Sequence, residues 1–202
     1  MRNKWTLAAA GIAVAISTFQ PACAGFVGLP MNLNSSIQRI KAEAPALPPM
    51  AFTQFCQRYA EECRARPIFR GGLVRLTSEK LADLKEVNRR VNLAIAPEPN
   101  ELGLAGEKWL INPARGDCND YAVSKRHELL ARGWPSRALL LSEVIVNSGE
   151  HHLVLVVRTS DGDLVLDNLT SQIKPWSRAP YSWVRMQVPN SRLWATITGT
   201  KV

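Results

Sequence analysis

The sequence lacks the features that mark several classes of protein. Beyond its first 24 residues, no stretch of the 202-residue chain is long and apolar enough to span a bilayer, so we expect no membrane span in the mature protein. Internal repeats and low-complexity blocks are absent, which excludes a repeat protein. No run of Arg and Lys is interleaved with aromatic residues. The formal net charge of +8 therefore points away from nucleic acid and towards an acidic protein or an anionic envelope polymer.

The first 24 residues have the pattern of a signal peptide. Arg2 and Lys4 give a positively charged start, residues 5–16 form a short apolar stretch, and residues 22–24 (Ala-Cys-Ala) form an A-x-A cleavage site. We therefore predict a signal peptide over residues 1–24 and a periplasmic or secreted location. An uncleaved membrane anchor is the alternative, but the apolar stretch is short for a span.

Cysteine is scarce, and one of the four cysteines, Cys23, falls inside the predicted signal peptide. The mature chain keeps Cys56, Cys63 and Cys118, and an odd number in an oxidising compartment implies one disulfide and one free thiol. Seven residues of continuous helix would separate Cys56 and Cys63 by about 10.5 Å, whereas a disulfide needs Cα atoms about 4.4–6.8 Å apart. A bridge between them therefore requires the chain to turn back; two reduced cysteines on one helix face are the alternative.

The rest of the chain has a pattern of helices followed by strands. Residues 25–50 are rich in proline and poor in large apolar residues, which predicts a flexible N-terminal segment. Helical spacing of apolar residues starts after Thr77 and stops at Pro97, and a second helix follows Cys118 and ends near Gly133. Alternating patterns then predict strands over residues 138–146, 153–157 and 164–166 and within 183–197. This order is typical of an α+β domain with a mostly antiparallel sheet.

Cys118 is predicted to stand at the start of the second helix, directly after a turn formed by Gly116 and Asp117. The N–H groups and the dipole at a helix N-terminus stabilise a thiolate, so this position suits a nucleophilic cysteine. Asp117 and Asp120 have two interpretations. They cap the helix, or they are ligands for a calcium ion, which needs six to eight oxygens. Both carboxylates oppose thiolate formation unless a cation or His152 compensates.

A predicted hairpin brings a histidine and an aspartate together. Asp161 and Gly162 mark the turn between its two strands. With an even-length loop, the antiparallel register places His152 and Asp167 on one face of the sheet, opposed or diagonal, with Cβ atoms about 4.5–8 Å apart. His151 then points to the opposite face. We therefore predict that His152, rather than His151, is the base.

Cys118, His152 and Asp167 together match a thiol triad. In such a triad the sulfur attacks a carbonyl carbon, the imidazole exchanges the proton and the carboxylate orients the imidazole. The backbone N–H of Cys118 and a second donor that the sequence does not identify would hold the oxyanion. Each residue taken singly also has a structural explanation, as a helix-start cysteine, a core histidine or a turn-capping aspartate.

Further segments surround these residues and form a specific combined pattern. They are Phe55-Cys56, Cys63, Leu76-Thr77, Val87-Asn88, Val91-Asn92, Trp109, Pro113, Gly116-Asp117-Cys118-x-Asp120-Tyr121-Ala122, Lys125-Arg126, His152-x-Val154-Leu155, Leu166-Asp167-Asn168-Leu169 and Pro175-Trp176. This pattern resembles the bacterial transglutaminase-like cysteine proteinases, whose LapG-type members are periplasmic proteases. The resemblance runs from about residue 50 to residue 202.

The resemblance implies a papain/transglutaminase-like fold over residues 51–202, in which helices, including the one with the nucleophile, pack on an antiparallel sheet. It assigns the triad to Cys118, His152 and Asp167, in agreement with the argument from the residues alone. LapG-type members cut a large surface adhesin, so the resemblance also implies a protein substrate in the cell envelope.

The resemblance bears on calcium as well. LapG-type members bind calcium beside the nucleophile, with an acidic residue directly after the cysteine. Asn119 stands at that position here, while Asp117 and Asp120 match the family. A metal site at Asp117 and Asp120 would therefore lack one of the family's carboxylates.

Three classes of function are compatible with the sequence. The first is an exported cysteine endopeptidase that acts on a protein substrate and requires no cofactor. The second is acyl transfer to an amine, or hydrolysis of peptidoglycan amides, through the same thioester. The third is a catalytically silent envelope-binding module, and the intact set of Cys118, His152 and Asp167 argues against it.

Overall fold

An antiparallel sheet of seven strands forms the centre of the fold. The computed structural model describes residues 39–64, 72–100 and 103–197. The sheet has the strand order β1-β9-β8-β4-β5-β6-β7, and β2 and β3 form a separate parallel pair. The strands are β1 (Ala42–Ala46), β2 (Ala96–Pro97), β3 (Arg115–Gly116), β4 (Leu139–Ile145), β5 (His151–Thr159), β6 (Gly162–Leu166), β7 (Lys174–Pro175), β8 (Ser182–Gln187) and β9 (Trp194–Ile197).

The helices precede most of the sheet, as the sequence predicts. They are α1 (Met50–Arg58), α2 (Ser78–Ala94), α3 (Gly103–Gly106) and α4 (Cys118–Ala131). Thr77 caps α2, because its Oγ1 accepts a hydrogen bond from the N–H of Lys80 (3.3 Å). α4 stops before Gly133, whose φ of +81° a residue with a side chain rarely adopts. In the described part of the chain, no helix has both the length and the apolar character needed to cross a membrane.

The two faces of the sheet bury different side chains because neighbouring residues of a strand point in opposite directions. Leu153, Leu155 and Val157 of β5 face the helices, where they pack with Phe52 and Trp109. The intervening valines of β5 pack on the other face with Val165, Tyr181 and Trp183. This double burial gives the central strands their continuous apolar sequences.

The register of the β5–β6 hairpin confirms the even-length loop. Thr159 pairs with Gly162 and Leu155 pairs with Leu166, so the turn has two residues. β4 lies on the other side of β5, in an antiparallel register that runs from Leu139 to Ile145. The meander of β4, β5 and β6 therefore carries the predicted histidine and aspartate to one end of the sheet.

Residues 42–46 correct our expectation of a flexible segment over residues 25–50. They form the edge strand β1, which pairs antiparallel with β9, and the N–H of Ala44 donates to Oγ1 of Thr196 (3.1 Å). The N–H of Ile40 also donates to the carboxylate of Asp163 (2.8 Å). Pairing with an existing sheet edge orders this segment although its own sequence has no strand pattern. The predicted signal peptide, residues 1–24, lies outside the described residues.

A disulfide joins Cys56 and Cys63, with Cα atoms 5.5 Å apart. The chain turns back between them, as their spacing requires: α1 ends at Arg58, and a 3-10 helix, Ala60–Cys63, follows. The turn carries the buried Glu62 against α4, where it binds Arg126 Nη1 (2.8 Å) and His127 Nδ1 (2.6 Å). The disulfide segment is thereby fastened to the helix that begins with Cys118.

Candidate active site

α4 begins with a reciprocal capping box. Asp117 is the N-cap, and its Oδ1 accepts a hydrogen bond from the N–H of Asn119 (2.9 Å). Asp120 Oδ2 accepts one from the N–H of Asp117 (3.1 Å), and Asp120 Oδ1 accepts another from the N–H of Leu110 (2.7 Å). These bonds fix the backbone on both sides of Cys118, the first residue of the helix.

Because Gly116 has no side chain, the carboxylate of Asp120 has room to take part in the capping box. A Cβ atom at position 116 would lie 2.8 Å from both Cβ and Cγ of Asp120, and still closer to its Oδ2. Any side chain at this position would push Asp120 out of the capping box. The glycine before the Asp-Cys pair is therefore a steric requirement of the site.

Cys118 is a half-buried thiol that contacts β5. Within the described residues it is the free cysteine, and it is hydrogen-bonded to the backbone of Leu153. Burial raises the pKa of the thiol to about 12, and although the bond to Leu153 lowers it, the carboxylates of Asp117, Glu107 and Asp167 raise it further. Our expectation that the helix terminus favours a thiolate is wrong for the resting site. A helix dipole contributes about 0.3–1 kcal/mol, which does not offset the desolvation of a buried anion.

His152 and Asp167 meet where the β5–β6 hairpin ends. His152 Nε2 lies 2.8 Å from Asp167 Oδ1, and both side chains are buried. Because Leu155 pairs with Leu166, the two residues are diagonal neighbours on one face, which is the placement that the parity argument predicts. An ionised Asp167 accepts a hydrogen bond from the Nε2–H group, and Nδ1 is then the ring nitrogen that can accept a proton.

Asp167 receives two further hydrogen bonds. Its Oδ1 also accepts from the N–H of Leu169 (3.1 Å), and its Oδ2 accepts from the hydroxyl of the buried Tyr181. Burial alone would raise the pKa of Asp167, but the hydrogen bonds from His152, Tyr181 and Leu169 lower it below its ordinary value. Tyr181 was missed by sequence reasoning because it lies in an irregular segment before β8 that has no periodic pattern.

His151 faces away from this cluster. Its side chain is 64% exposed, and its Nδ1 lies 2.5 Å from Oε1 of Glu143 on β4. The hydrogen bond to Asp167 belongs to His152, as the alternation of side chains along β5 predicts.

A further carboxylate, Glu107, approaches Cys118 from the segment before α4. Its Oε1 accepts hydrogen bonds from Trp109 Nε1 (2.9 Å) and from Asn119 Nδ2 (2.5 Å). Burial raises the pKa of Glu107, and the nearby charges of Asp117 and Glu143 add to the rise. Asn119, the neutral residue after Cys118, thus binds a carboxylate from another segment. No sequence pattern indicates this contact, because it joins a loop to a helix.

A pocket of about 380 Å³ opens beside the carboxylate of Asp167. Its position next to the His152–Asp167 pair leaves room for a side chain of an extended polypeptide. The pocket has both apolar and polar lining residues, which include Val146, Val165, Leu169, Ala179, Asn147, Ser148, Thr170, Gln172, Tyr181 and Lys174.

Asp117 and Asp120 are engaged in the helix cap in this arrangement. Both oxygens of Asp120 and one oxygen of Asp117 accept backbone hydrogen bonds. Across residues 39–64, 72–100 and 103–197, no group of three or more His, Cys, Asp or Glu side chains is arranged to hold a metal ion. In this structure the two carboxylates form the helix cap.

Comparison with known proteins agrees with this architecture. A family model of bacterial transglutaminase-like cysteine proteinases (BTLCP) matches residues 42–202. Among solved structures, calcium-bound LapG of Legionella pneumophila is 22% identical, with 78% of this chain and 86% of that chain covered and a TM-score of 0.50. The EGTA-treated form of LapG is also 22% identical, with 79% and 90% covered and a TM-score of 0.49. No curated protein matches the chain.

Helices packed on one large antiparallel sheet define a transglutaminase-like fold, and the calcium-bound LapG structure shares it. The fold class predicted from the sequence is therefore confirmed. The family model covers most of the chain, and the chain belongs to the bacterial transglutaminase-like cysteine proteinases. It is accordingly a cysteine peptidase, and its activity is hydrolytic.

Proposed function

We propose that the protein is an exported cysteine endopeptidase that uses Cys118 as nucleophile, His152 as base and Asp167 as the carboxylate that orients the base. The observation that carries this proposal is the buried hydrogen bond between His152 and Asp167. It lies at the start of the strand whose Leu153 is hydrogen-bonded to the Cys118 thiol. The three residues thus supply a nucleophile, a base and an orienting group.

Acylation begins when the Cys118 proton passes to Nδ1 of His152 and the sulfur attacks the scissile carbonyl carbon. The Nε2–H group stays bound to Asp167, which stabilises the imidazolium. The backbone N–H of Cys118, which the capping bonds do not use, is the donor that we assign to the oxyanion. The imidazolium then protonates the leaving amine, the C–N bond breaks, and a thioester remains on Cys118.

In deacylation, water replaces the thiol as the group that gives a proton to His152. A water molecule gives a proton to Nδ1 of His152 and attacks the thioester carbonyl. The C–S bond breaks, the proton returns to the sulfur of Cys118, and the carboxylic acid product leaves. The enzyme is restored without any redox change.

The surroundings of Cys118 determine when its proton moves. Because burial raises the pKa of the thiol to about 12, the resting nucleophile is a neutral thiol. Proton transfer to His152 therefore accompanies attack rather than preceding it. The reactivity of the sulfur then depends strongly on His152.

Location and substrate are proposed from the sequence and the family. The signal pattern over residues 1–24 supports export to the periplasm or beyond. The resemblance to LapG-type proteases supports an envelope protein, such as a surface adhesin, as the substrate. The pocket beside Asp167 is large enough for a side chain of such a substrate.

We further propose that Asp117 and Asp120 contribute by capping α4 and that the reaction requires no cofactor. Their oxygens bind the backbone around Cys118, so their effect on catalysis is to hold the nucleophile in place. Because one of the similar LapG structures is calcium-bound, metal dependence of this enzyme merits a direct measurement with a chelator.

Thiol labelling tests the activated nucleophile. Iodoacetamide at pH 5–7 should alkylate Cys118 in the wild type at least about tenfold faster than in His152→Ala, because the buried thiol has no proton acceptor in the variant. Mass spectrometry of the peptide that contains Cys118 gives the rate. His151→Ala is the matched control, since this neighbouring histidine is exposed, and it should label like the wild type.

Turnover gives the second arm of the test. Cys118→Ser should hydrolyse neither casein nor a fluorogenic peptide, while its circular dichroism stays unchanged because serine is nearly isosteric. Hydrolysis by Cys118→Ser, or equal labelling of the wild type and His152→Ala, would contradict the proposed mechanism.

A further inference from the structure

The helix α2 carries two asparagines, one turn apart, that the proposed reaction does not use. They are Asn88 and Asn92, and each follows a buried valine, Val87 or Val91. Residues four apart lie on the same side of a helix, about 6 Å from each other along its axis. Asn88 is completely buried and Asn92 is half-buried. The two amides therefore lie one above the other on one side of α2.

Both amides bind the irregular segment between β6 and β7, residues 167–173, which we call the β6–β7 loop. Asn92 Nδ2 donates to the carbonyl oxygen of Asp167 (2.9 Å), and Asn88 Nδ2 donates to the carbonyl oxygen of Ser171 (3.2 Å). Because a carbonyl oxygen can only accept, these contacts fix which way each amide points. The asparagine four residues earlier holds the loop residue four positions later, so the loop runs antiparallel to α2.

These two donors matter because the loop belongs to no strand, and a sheet therefore does not supply partners for its backbone carbonyls. Side chains of the loop satisfy some of its N–H groups: Leu169 donates to Asp167 Oδ1 and Gln172 donates to Thr170 Oγ1, both at 3.1 Å. Such bonds provide nothing for the carbonyl oxygens. The asparagines of α2 supply donors for two of them, and they fix the path of the loop at two points.

The same loop forms one wall of the pocket beside Asp167. Thr170 and Gln172 both line the pocket, and Ser171, whose carbonyl oxygen Asn88 binds, stands between them in the sequence. Asn92 binds the loop at its other end, on the residue whose carboxylate meets His152. One turn of α2 thus holds both the aspartate of the proposed triad and the wall of the pocket.

The second polar atom of each amide indicates that the asparagines do not serve the packing of α2. In the part of the chain that the structure describes, Oδ1 of Asn88 and Oδ1 of Asn92 are buried without a hydrogen-bond partner. A buried acceptor left unpaired costs stability that an apolar side chain would not cost. Asparagine also favours a helix less than alanine or leucine does. What the two residues contribute is therefore the pair of hydrogen bonds from Nδ2 to the loop.

We propose that Asn88 and Asn92 are positioning residues that hold the β6–β7 loop against α2. Asn92 positions Asp167 for its hydrogen bond to His152, and Asn88 positions the pocket wall around Ser171. This inference rests on the proposed function, in which Asp167 orients the base and the pocket takes a side chain of the substrate. Both asparagines act through the loop rather than on the reacting atoms.

Asn92→Ala tests the anchor of Asp167. We expect kcat on a fluorogenic peptide to fall by about tenfold and KM to stay within about twofold of the wild type, because Asp167 orients the imidazole less firmly. The downfield proton resonance of the His152 Nε2–H group, which is bonded to Asp167, should exchange faster with water. This NMR measurement is made on the resting protein, so it does not depend on turnover.

Asn88→Ala is the matched variant, because it removes the same kind of hydrogen bond from the same helix. We expect KM to rise by about fivefold and kcat to stay within about twofold, because the pocket wall moves while Asp167 keeps its anchor. Exchange of the His152 Nε2–H proton should stay at the wild-type rate. The urea midpoints of the two alanine variants should fall by similar amounts, so a difference between their kinetics cannot come from a general loss of stability.

Asn92→Leu and Asn88→Leu repeat the comparison if an alanine variant does not fold, because leucine fills the buried space with a branched side chain and favours the helix. Wild-type kcat and wild-type exchange in the Asn92 variants, or the same changes of kcat and KM at both positions, would overturn the inference. Faster exchange in the Asn92 variants alone, in a protein whose Cys118→Ser variant still hydrolyses the peptide, would instead refute the proposed function and leave the anchoring of Asp167 intact.

Discussion

Asp167 is the residue on which most contacts of the candidate site converge. His152, Leu169 and Tyr181 donate hydrogen bonds to its carboxylate, and Asn92 binds its backbone carbonyl. These donors come from different parts of the chain, so the carboxylate is fixed from several sides. A fixed carboxylate in turn holds the imidazole in one orientation and one tautomer.

Tyr181→Phe should weaken this arrangement. The variant removes the donor to Asp167 Oδ2 and leaves a buried acceptor unpaired, so we expect the free energy of unfolding to fall by about 1–3 kcal/mol at neutral pH. Since the hydroxyl helps to lower the pKa of Asp167 in the folded state, this loss should shrink as the pH falls through that lowered pKa. Urea unfolding at neutral and acid pH measures both effects.

Activity gives an independent check on Tyr181. We expect kcat/KM of Tyr181→Phe to fall by about tenfold, because the imidazole is less firmly oriented. Tyr59→Phe is a suitable control, since the ring of Tyr59 packs on Phe55 (5.1 Å between centroids), away from Asp167. Full activity and stability in Tyr181→Phe would show that the Oδ2 contact is dispensable.

For single residues of the candidate site, the sequence predicted the placements that follow from the local periodicity of a strand. The alternation of β5 and the parity of the hairpin distinguished His152 from His151, because both follow from backbone geometry alone. Tyr181 and Glu107 could not be found, since they reach the site from irregular segments. The helix terminus indicated a stabilised thiolate at Cys118 because it is a local feature. The burial that raises the pKa of this thiol depends instead on how the whole chain packs.

Among the elements, α4 combines the capping box, the proposed nucleophile Cys118 and the contacts that hold the helix in place. Arg126 and His127 both bind Glu62, which the disulfide turn carries. Arg126 and Glu62 are both buried, so separating them would leave uncompensated charges in the interior. The disulfide between Cys56 and Cys63 therefore supports α4 through Glu62.

Removal of this disulfide should lower stability. For the double variant Cys56→Ala/Cys63→Ala we expect the free energy of unfolding to fall by about 2–3 kcal/mol, the value for a short closed loop. Urea titration followed by tryptophan fluorescence measures it. The wild type in a phosphine reductant should show the same fall, while the double variant should not respond to the reductant. Unfolding midpoints that are identical with and without reductant would contradict this role.

The elements differ in how well the sequence predicted them. α2, α4 and the strands β4 to β6 were predicted, because their apolar residues recur with the period of the element that forms. β1 was not, because its Ala-Glu-Ala-Pro-Ala sequence has no large apolar or β-branched residue and contains a proline. Its structure comes from the edge of β9, which a single-sequence pattern does not reveal.

For the molecule as a whole, charge is unevenly distributed. The chain has a formal net charge of +8, yet Glu107, Asp117 and Asp120 gather around the start of α4. Burial raises the pKa of Asp120 to about 6, and the charges of Asp117 and Glu107 contribute to the rise. The family resemblance predicted the fold and the peptidase class, but not how these carboxylates are engaged, because capping bonds depend on side-chain geometry.

Chelation distinguishes capping from metal binding. We expect EGTA to leave both the melting temperature and the hydrolysis of a fluorogenic peptide unchanged, because Asp117 and Asp120 already bind backbone N–H groups. Asp120→Ala should destabilise the protein by about 1–2 kcal/mol with or without EGTA, as the loss of a cap does. A fall in activity with EGTA that added calcium reverses would show instead that the cap opens to ligate the ion.

The pairing of β1 with β9 affects how the molecule is made. β1 precedes the other described elements and β9 follows them, and Ala44 and Thr196, which hydrogen-bond across this pair, are 152 residues apart. A chain emerging from a ribosome or a translocation pore cannot complete its sheet until all the intervening strands have followed. Loop closure over such a separation is slow relative to local helix formation. The newly made chain therefore passes through a period in which its helices have formed while this edge of the sheet is still open.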